Sequence, residues 1–362
     1  VAFLGLGMLL GSDGPGGIAF DDAELTRKVG IVGLGLILYE GGLQTSFRRL
    51  REVAAPAGLL STVGVLVTAG ITGAAGHALF DLDWREALLL GAVVASTDAA
   101  AVFSTLRFTH IGRRVARTLE AESGGNDPMA IALTLGLIAW IQHPESHGLG
   151  DLVLLVVRQI GIGGAVGVAM GLVAMRVFRR IPDQIAAFVP VLSMATAALA
   201  FGAADAGGGS GFLSVYLVGL AVGSTPSRYR RQLAVFHEGV AFLAQVALFI
   251  VLGLLVFPHD LPGVAWKALV LAAVLVLVAR PAAVWASTLG LRFTQRERLL
   301  LGWAGLRGAV PIVLATFALS EQVPHAELVF NTVFFVVIVS TILQGTTLEW
   351  VARRLGLVVK GP

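Results

Sequence analysis

The chain has 362 residues, of which 56% are hydrophobic and only 14% are charged, and it contains 45 glycines and no cysteine. A water-soluble domain carries roughly 25% charged residues. The composition therefore excludes soluble enzymes and nucleic-acid-binding proteins, and it indicates a protein whose surface faces lipid. The lack of cysteine excludes a disulfide framework and thiolate metal sites. In a membrane protein, the first explanation of the formal net charge of +3 is that basic residues mark one side of the membrane, and a binding surface for a polyanion is not needed to explain it.

Twelve apolar segments, separated by charged residues or by glycine and proline clusters, follow one another along the chain. About 20 apolar residues cross the hydrocarbon core as a helix, and a lone strand in lipid would leave its backbone groups unsatisfied. We therefore predict an all-α polytopic membrane protein with 12 spans in this chain. The segments lie near residues 1–10, 29–47, 53–80, 86–106, 115–142, 151–178, 185–204, 210–223, 233–257, 263–290, 298–320 and 328–352.

The loops between these segments alternate in charge. Arginine clusters follow every even-numbered segment, for example at 48–51, 228–231 and 353–354, whereas the intervening loops are acidic or nearly neutral. By the positive-inside rule, the basic side is the cytoplasm. We therefore predict a multi-pass protein of the cell membrane, the inner membrane of a bacterium, with its C-terminus in the cytoplasm. Because Val1 lies within an apolar run, we also expect the natural N-terminus to precede the chain.

A few charged residues lie inside the apolar segments, where ionisable groups are costly and mark a substrate path or a buried pair. Arginine can also extend its charged end toward the interface or form a structural pair, and this structural role is favoured for Arg158 and Arg280. The charged residues at membrane depth are Glu40, Asp98, Glu122, Asp127, Arg158, Arg280 and Arg307.

Two of the segments contain helix-breaking sequences at mid-span. Ser96, Thr97 and Asp98 are residue types that cap the start of a helix, and residues 305–311 combine glycine and proline around Arg307. We predict that segments 86–106 and 298–320 are each broken into two half-helices. The two segments are seven apart, so they cross the membrane in opposite directions, as in transporters built from inverted repeats with an ion site at the midplane.

Segment 115–142 carries a polar cluster in the middle of its apolar run. On a helix, Ser123, Asn126 and Asp127 lie within an arc of about 100°, whereas Glu122 points about 100° away from Ser123. A hydroxyl, an amide oxygen and a carboxylate are hard oxygen ligands that replace the water around a small cation. A polar seam that joins helices is the structural alternative, but an aspartate beside an asparagine, with Pro128 following, favours a functional site.

Glu40 leaves two interpretations open. It lies about two helical turns before the arginines at 48–51. It can therefore be an interfacial carboxylate paired with Arg48 or Arg49, or an auxiliary ion ligand in a cytoplasmic funnel.

In this order and spacing, the motifs at 96–98, 122–127 and 305–311 resemble those of the NhaP-type cation/proton antiporters, in particular the potassium/proton subgroup. The resemblance covers essentially the whole chain. It implies the inverted-repeat antiporter fold (NhaA/NhaP-like) with two discontinuous crossing helices, thirteen spans of which one precedes this chain, and a homodimer. The implied divisions of the single transmembrane domain 1–362 are a first repeat at 1–142, a linker helix at 151–178, a second repeat at 185–352, and core ion-binding helices at 86–142 and 298–320.

The resemblance also implies roles for the polar residues of the core. It assigns Asp127 as the carboxylate that binds cation and proton alternately. Ser123 and Thr97 are then further cation ligands. Asn126 is the partner that distinguishes the electroneutral branch, and Asp98 joins the binding group and serves the helix crossing.

Three further expectations follow from the same resemblance. Glu122 is expected to form a structural ion pair with Arg307. Glu40 sits where some members of the family use a glutamate as an ion ligand. The potassium subgroup usually carries cytoplasmic regulatory domains after the last span, and such a domain is absent from this chain.

The expected function is electroneutral exchange of K+ or Na+ for H+ across the cytoplasmic membrane, with no cofactor, no enzymatic activity and no nucleic-acid partner. A monovalent cation channel is the alternative, because the same oxygen ligands can form a filter. An intramembrane hydrolase is a remote alternative, since residues 208–211 match the short serine motif of rhomboid-type proteases.

Overall fold

The computed structural model describes residues 2–106, 110–146 and 148–359. Within these ranges the chain is almost entirely helical. The α-helices are α1 (Ala2–Leu10), α2 (Ala23–Gln44), α3 (Phe47–Glu52), α4 (Ala54–Leu59), α5 (Val65–Phe80), α6 (Trp84–Val93), α7 (Ala99–Thr105), α8 (Arg113–Gln142), α9 (Leu149–Arg179), α10 (Val189–Ala206), α11 (Gly211–Gly223), α12 (Arg230–Leu254), α13 (Leu261–Val274), α14 (Arg280–Thr288), α15 (Gln295–Trp303), α16 (Ala309–Ser320) and α17 (Ala326–Arg354).

Four short helical turns and one strand pair complete the described architecture. A π-helical turn at Leu60–Gly64 continues α4 into α5, and another at Leu275–Ala279 continues α13 into α14. Single 3₁₀ turns at Asp183–Phe188 and Pro258–Asp260 precede α10 and α13. The two-residue strands β1 (His110–Ile111) and β2 (Val358–Val359) pair antiparallel.

The predicted segments coincide with helices or with pairs of consecutive helices, which confirms an all-α membrane protein. The count of 12 spans is not confirmed, because only six helices in the described ranges are long and apolar enough to cross a membrane without interruption. The other predicted spans are short, polar at mid-length or broken. The six are Ala54–Phe80, Leu149–Arg179, Gln184–Ala206, Arg230–Leu254, Pro258–Thr288 and Ala326–Arg354.

Both predicted helix breaks are confirmed. The first break separates α6 from α7, and Asp98 caps α7 by accepting a hydrogen bond from the backbone N–H of Ala101 at 3.0 Å. The second break separates α15 from α16, and glycine occupies the N-cap position at 308. The two breaks meet, since the Asp98 N–H donates to the Leu306 carbonyl oxygen at 2.8 Å.

The chain forms two compact units that do not follow the order of the sequence. The predicted division into inverted repeats at 1–142 and 185–352 differs from this division into units, and it stays a prediction. The first unit comprises Val1–Arg27, Val53–Leu152 and Phe249–Pro362, and the second comprises Lys28–Glu52 and Val153–Leu248.

Each unit has its own apolar core. In the first unit, α7, α8, α14, α15 and α17 contribute to a cluster that includes Leu60, Leu119 and Leu300. In the second unit, α2, α9, α10, α11 and α12 contribute to a cluster around Tyr39 and Val218. Since both breaks and the polar cluster of α8 fall in the first unit, this unit holds the candidate site.

Helices α5 and α6 pack closely against each other just before the first break. A Cβ atom at Gly91 would lie 2.1 Å from the carbonyl oxygen of Ala69, so only glycine fits at this crossing. Gly91 lies two residues before the end of α6, so this close contact holds the end of α6 against α5 next to the break.

We predict that Gly91→Ala destabilises the protein by roughly 1–3 kcal/mol, because an overpacked buried contact forces the backbone apart. The midpoint of thermal unfolding in detergent measures the effect. Gly70→Ala in α5 is the matched control, since a Cβ atom there meets nothing within 4 Å and alanine favours the helix. Equal midpoints for the two variants would contradict the assigned packing.

Candidate functional site

Asp127 lies in the middle of α8 and is buried, with 6% of its surface exposed. Its Oδ1 atom accepts a hydrogen bond from the hydroxyl of Ser96. Ser96 belongs to the first helix break and is 1% exposed. The non-helical segment of the first break therefore lies against Asp127, the carboxylate that the sequence analysis identified.

Asn126 and Thr97 form a second contact between α8 and the break. The amide nitrogen of Asn126 donates to the Thr97 hydroxyl at 2.6 Å. The other amide atom, Oδ1, is buried and has no hydrogen-bond partner in the described part of the chain. Leaving a buried acceptor unpaired costs about 1–3 kcal/mol, and a bound cation would satisfy it.

Ser123 braces the break from the same helix. Its hydroxyl donates to the Thr97 carbonyl oxygen at 3.0 Å and accepts from the Ala99 N–H at 3.3 Å. Ser123 is therefore close to the site, as predicted, but its hydroxyl is occupied by backbone groups. Its role as a cation ligand stays a prediction.

Asp98 lies where the two half-helices α7 and α16 begin. Its carboxylate accepts from the first turn of α7, and a Cβ atom on Gly308, the N-cap of α16, would lie 2.2 Å from its Oδ2 atom. The N-terminal ends of helices carry partial positive charge. One carboxylate thus faces the starts of both half-helices, which agrees with its expected role at the crossing.

The expected ion pair between Glu122 and Arg307 is wrong. Glu122 instead binds Arg280 through both guanidinium Nη atoms, one of them 2.9 Å from Oε2, with 1% and 3% of the two side chains exposed. Arg307 is 1% exposed and donates to the carbonyl oxygens of Ala95 at 2.9 Å and Ser96 at 2.7 Å. The physical reason is that Ala95 and Ser96 lie in the non-helical break after α6, where their buried carbonyl oxygens need a donor, and the guanidinium of Arg307 supplies it.

Two residues of α17 support the second break, and the sequence analysis missed both. The Thr341 hydroxyl donates to the Arg307 carbonyl oxygen at 3.0 Å, and the Gln344 amide donates to the Trp303 carbonyl oxygen at 2.8 Å. Gln344 is fully buried. The sequence signal that could have indicated a neighbouring helix end is a polar pair three residues apart, Thr341 and Gln344, in the apolar run 328–352.

Glu40 belongs to the second unit, and its carboxylate accepts a hydrogen bond from the side chain of Gln44, one turn along α2. In the described ranges no ion pair joins Glu40 to Arg48 or Arg49, so the interfacial pairing is not supported. Its role as an auxiliary ion ligand stays a prediction.

The arrangement can hold one small cation or one proton. Asp127 supplies a carboxylate, and the hydroxyls and amide around it supply neutral oxygens of the kind that alkali cations accept. Arg280 and Glu122 neutralise each other, so in the described part of the chain Asp127 has no cationic side chain as an ion-pair partner. A buried carboxylate in this state favours uptake of a cation or of a proton.

We predict that Arg280→Met strongly destabilises the protein, by about 3–5 kcal/mol, because it leaves the buried Glu122 carboxylate without a partner. The double variant Glu122→Gln with Arg280→Met should recover most of the loss. Thermal unfolding in detergent measures both. Arg85→Met is the control, because it breaks only the surface pair of Arg85 with Asp83, 3.0 Å apart, which costs about 1 kcal/mol or less, and keeps Asp83 as the cap of α6. Additive losses in the double variant would contradict the pair.

Comparison with known proteins identifies the family to which the chain belongs. The family model described as the transmembrane sodium/hydrogen exchanger matches residues 1–354. The K(+)/H(+) antiporter NhaP2 of Shewanella sp. (strain ANA-3) is 41% identical over 353 residues, which cover 97% of this chain and 61% of that protein. The Na(+)/H(+) antiporter NhaH of Halobacillus aidingensis is 30% identical over 339 residues, covering 90% of this chain and 82% of that protein.

The fold is also shared with a solved structure, that of the sodium proton antiporter MjNhaP1 from Methanocaldococcus jannaschii. The TM-score is 0.87 at 23% sequence identity, over 98% of this chain and 91% of that one. The chain spans 61% of the length of the Shewanella relative. The resemblance to NhaP-type antiporters is confirmed, and the chain belongs to the transmembrane sodium/hydrogen exchanger family.

Proposed function

We propose that the protein is an electroneutral antiporter that exchanges one K+ for one H+ across the cytoplasmic membrane. The observation that carries this proposal is the buried Asp127 carboxylate, set against a helix break and surrounded by neutral oxygens. Membership of an exchanger family supports the class of reaction. No enzymatic step is involved, because transport requires only that the site bind an ion and release it on the other side.

The relatives support K+ as the first candidate among monovalent cations. A relative named as a K(+)/H(+) antiporter is 41% identical over 97% of this chain, whereas one named as a Na(+)/H(+) antiporter is 30% identical over 90%. We therefore take K+ as the proposed substrate and Na+ as its competitor. The homodimer, the inverted repeats and a cytoplasmic regulatory domain elsewhere in the natural protein belong to the same proposal.

The mechanism needs one carboxylate. When Asp127 holds a proton it is neutral and does not retain a cation, and when it holds a cation it has released the proton. The two ions therefore compete for one site. Alternating exposure of that site to the two sides of the membrane converts this competition into exchange. Both loaded forms carry the same net charge, so the cycle is electroneutral.

The other residues of the cluster have supporting roles in this proposal. Thr97, Ser123 and Asn126 provide oxygen ligands or hold them in place. Asp98 compensates the starts of the half-helices. Glu40 is the auxiliary carboxylate of the second unit.

We predict that Asp127→Asn abolishes exchange, because an amide neither releases a proton nor balances the charge of a cation. The measurement is K+-driven proton movement in proteoliposomes, with the internal pH followed by a dye. Asp205→Asn is the matched control, since Asp205 is an exposed aspartate at the end of α10. Full exchange by the Asp127 variant would contradict the proposal.

The same proteoliposomes test the coupling. Clamping the membrane potential at zero or at a large value should leave the wild-type rate unchanged, since no net charge moves. A K+ current that follows the potential without proton movement would identify a channel and contradict the antiporter.

A further inference from the structure

Ser96 is the hydroxyl that contacts the essential carboxylate directly. Of the three hydroxyl groups around the site, Thr97 accepts from the amide of Asn126, and Ser123 is engaged by backbone atoms of the break. The Ser96 hydroxyl alone among the three donates to Asp127. It was not among the site residues expected from the sequence.

The position of Ser96 is built into the fold. Its carbonyl oxygen accepts from the buried guanidinium of Arg307 at 2.7 Å, and the preceding carbonyl, of Ala95, accepts from the same group at 2.9 Å. Two residues further on, Asp98 is tied to Leu306 across the crossing. The backbone on both sides of Ser96 is therefore held, and only its side-chain hydroxyl is free to turn.

We propose that Ser96 is a further cation ligand. In the ion-free site its hydroxyl group donates a hydrogen bond to Asp127, and in the loaded site its oxygen faces the cation. This inference rests on the proposed antiport function. In the ion-free state the O–H group stabilises the carboxylate as a donor, which is the role seen in the structure. When a cation binds, rotation about the Cβ–Oγ bond directs a lone pair toward the ion and moves no heavy atom.

The hydroxyl hydrogen needs another acceptor after this rotation, and the cluster contains one. Asn126 Oδ1 is buried and has no hydrogen-bond partner in the described structure. Asn126 precedes Asp127 in α8 and is held against Thr97, the residue that follows Ser96. An amide oxygen has two lone pairs, so Asn126 Oδ1 can accept the Ser96 hydrogen and still face the cation.

The test is the apparent KM for K+ in proteoliposome exchange. Ser96→Ala should raise this KM about tenfold, the usual effect of removing one polar contact to a charged group, with the maximal rate within about twofold of wild type. Ser96→Cys should behave like Ser96→Ala, because a thiol is nearly the same size but is a soft, poor ligand for a hard cation. Ser96→Thr keeps the hydroxyl and should recover most of the affinity.

Ser104→Ala in α7 is the control, since this exposed hydroxyl donates only to the carbonyl oxygen of Ala101. An unchanged KM in both Ser96→Ala and Ser96→Cys would overturn the ligand role. So would a wild-type KM in Ser96→Cys alone, because the effect of alanine would then come from lost volume. If Ser96→Ala fails to fold, the cysteine variant still decides the question.

Wild type and Asp127→Asn are measured in the same series. Exchange that persists in Asp127→Asn, or that is missing in wild type, overturns the proposed function together with this inference. Exchange that requires Asp127 but keeps its KM in the Ser96 variants overturns this inference alone.

Discussion

An interrupted helix inside a bilayer exposes backbone N–H and C=O groups that lipid cannot satisfy, and this constraint governs the whole core of the protein. The chain interrupts two helices and lets the interruptions meet, with the Asp98 N–H bonded to the Leu306 carbonyl oxygen. Charged side chains satisfy the remaining backbone groups. Arg307 binds the carbonyl oxygens of Ala95 and Ser96, just after the end of α6, and Asp98 faces the starts of α7 and α16. Charges of opposite sign thus lie at helix ends of opposite polarity.

The candidate ion site follows from this arrangement. Because the first break is non-helical, its side chains and carbonyl groups reach across to α8 and contact Ser123, Asn126 and Asp127. Arg280 neutralises the neighbouring charge of Glu122 by forming an ion pair with it. What is left is a buried carboxylate with neutral oxygens and an amide oxygen that has no hydrogen-bond partner among the described residues, and the proposed exchange needs no further chemical group.

Local features of the sequence predicted much of this arrangement, because they act over a few residues. The capping residues Ser96 to Asp98 and the glycines around Arg307 located both breaks, and the polar arc on α8 located the site. The partner of Glu122 was not predictable in the same way. The pairing depends on how α14 packs after a π-helical turn at Leu275–Ala279. The sequence shows which residues are charged but not which of them lie close together in the folded chain. The support from Thr341 and Gln344 was missed for the same reason.

The central claim is that a cation and a proton compete for Asp127. Calorimetric titration of the detergent-solubilised protein with K+, repeated in buffers of different ionisation enthalpy, counts the protons released on binding. The account predicts nearly one proton released per K+ bound at the acidic end of the pH range in which exchange proceeds, and a release that falls toward zero at alkaline pH. Binding of K+ without proton release at every pH would contradict it.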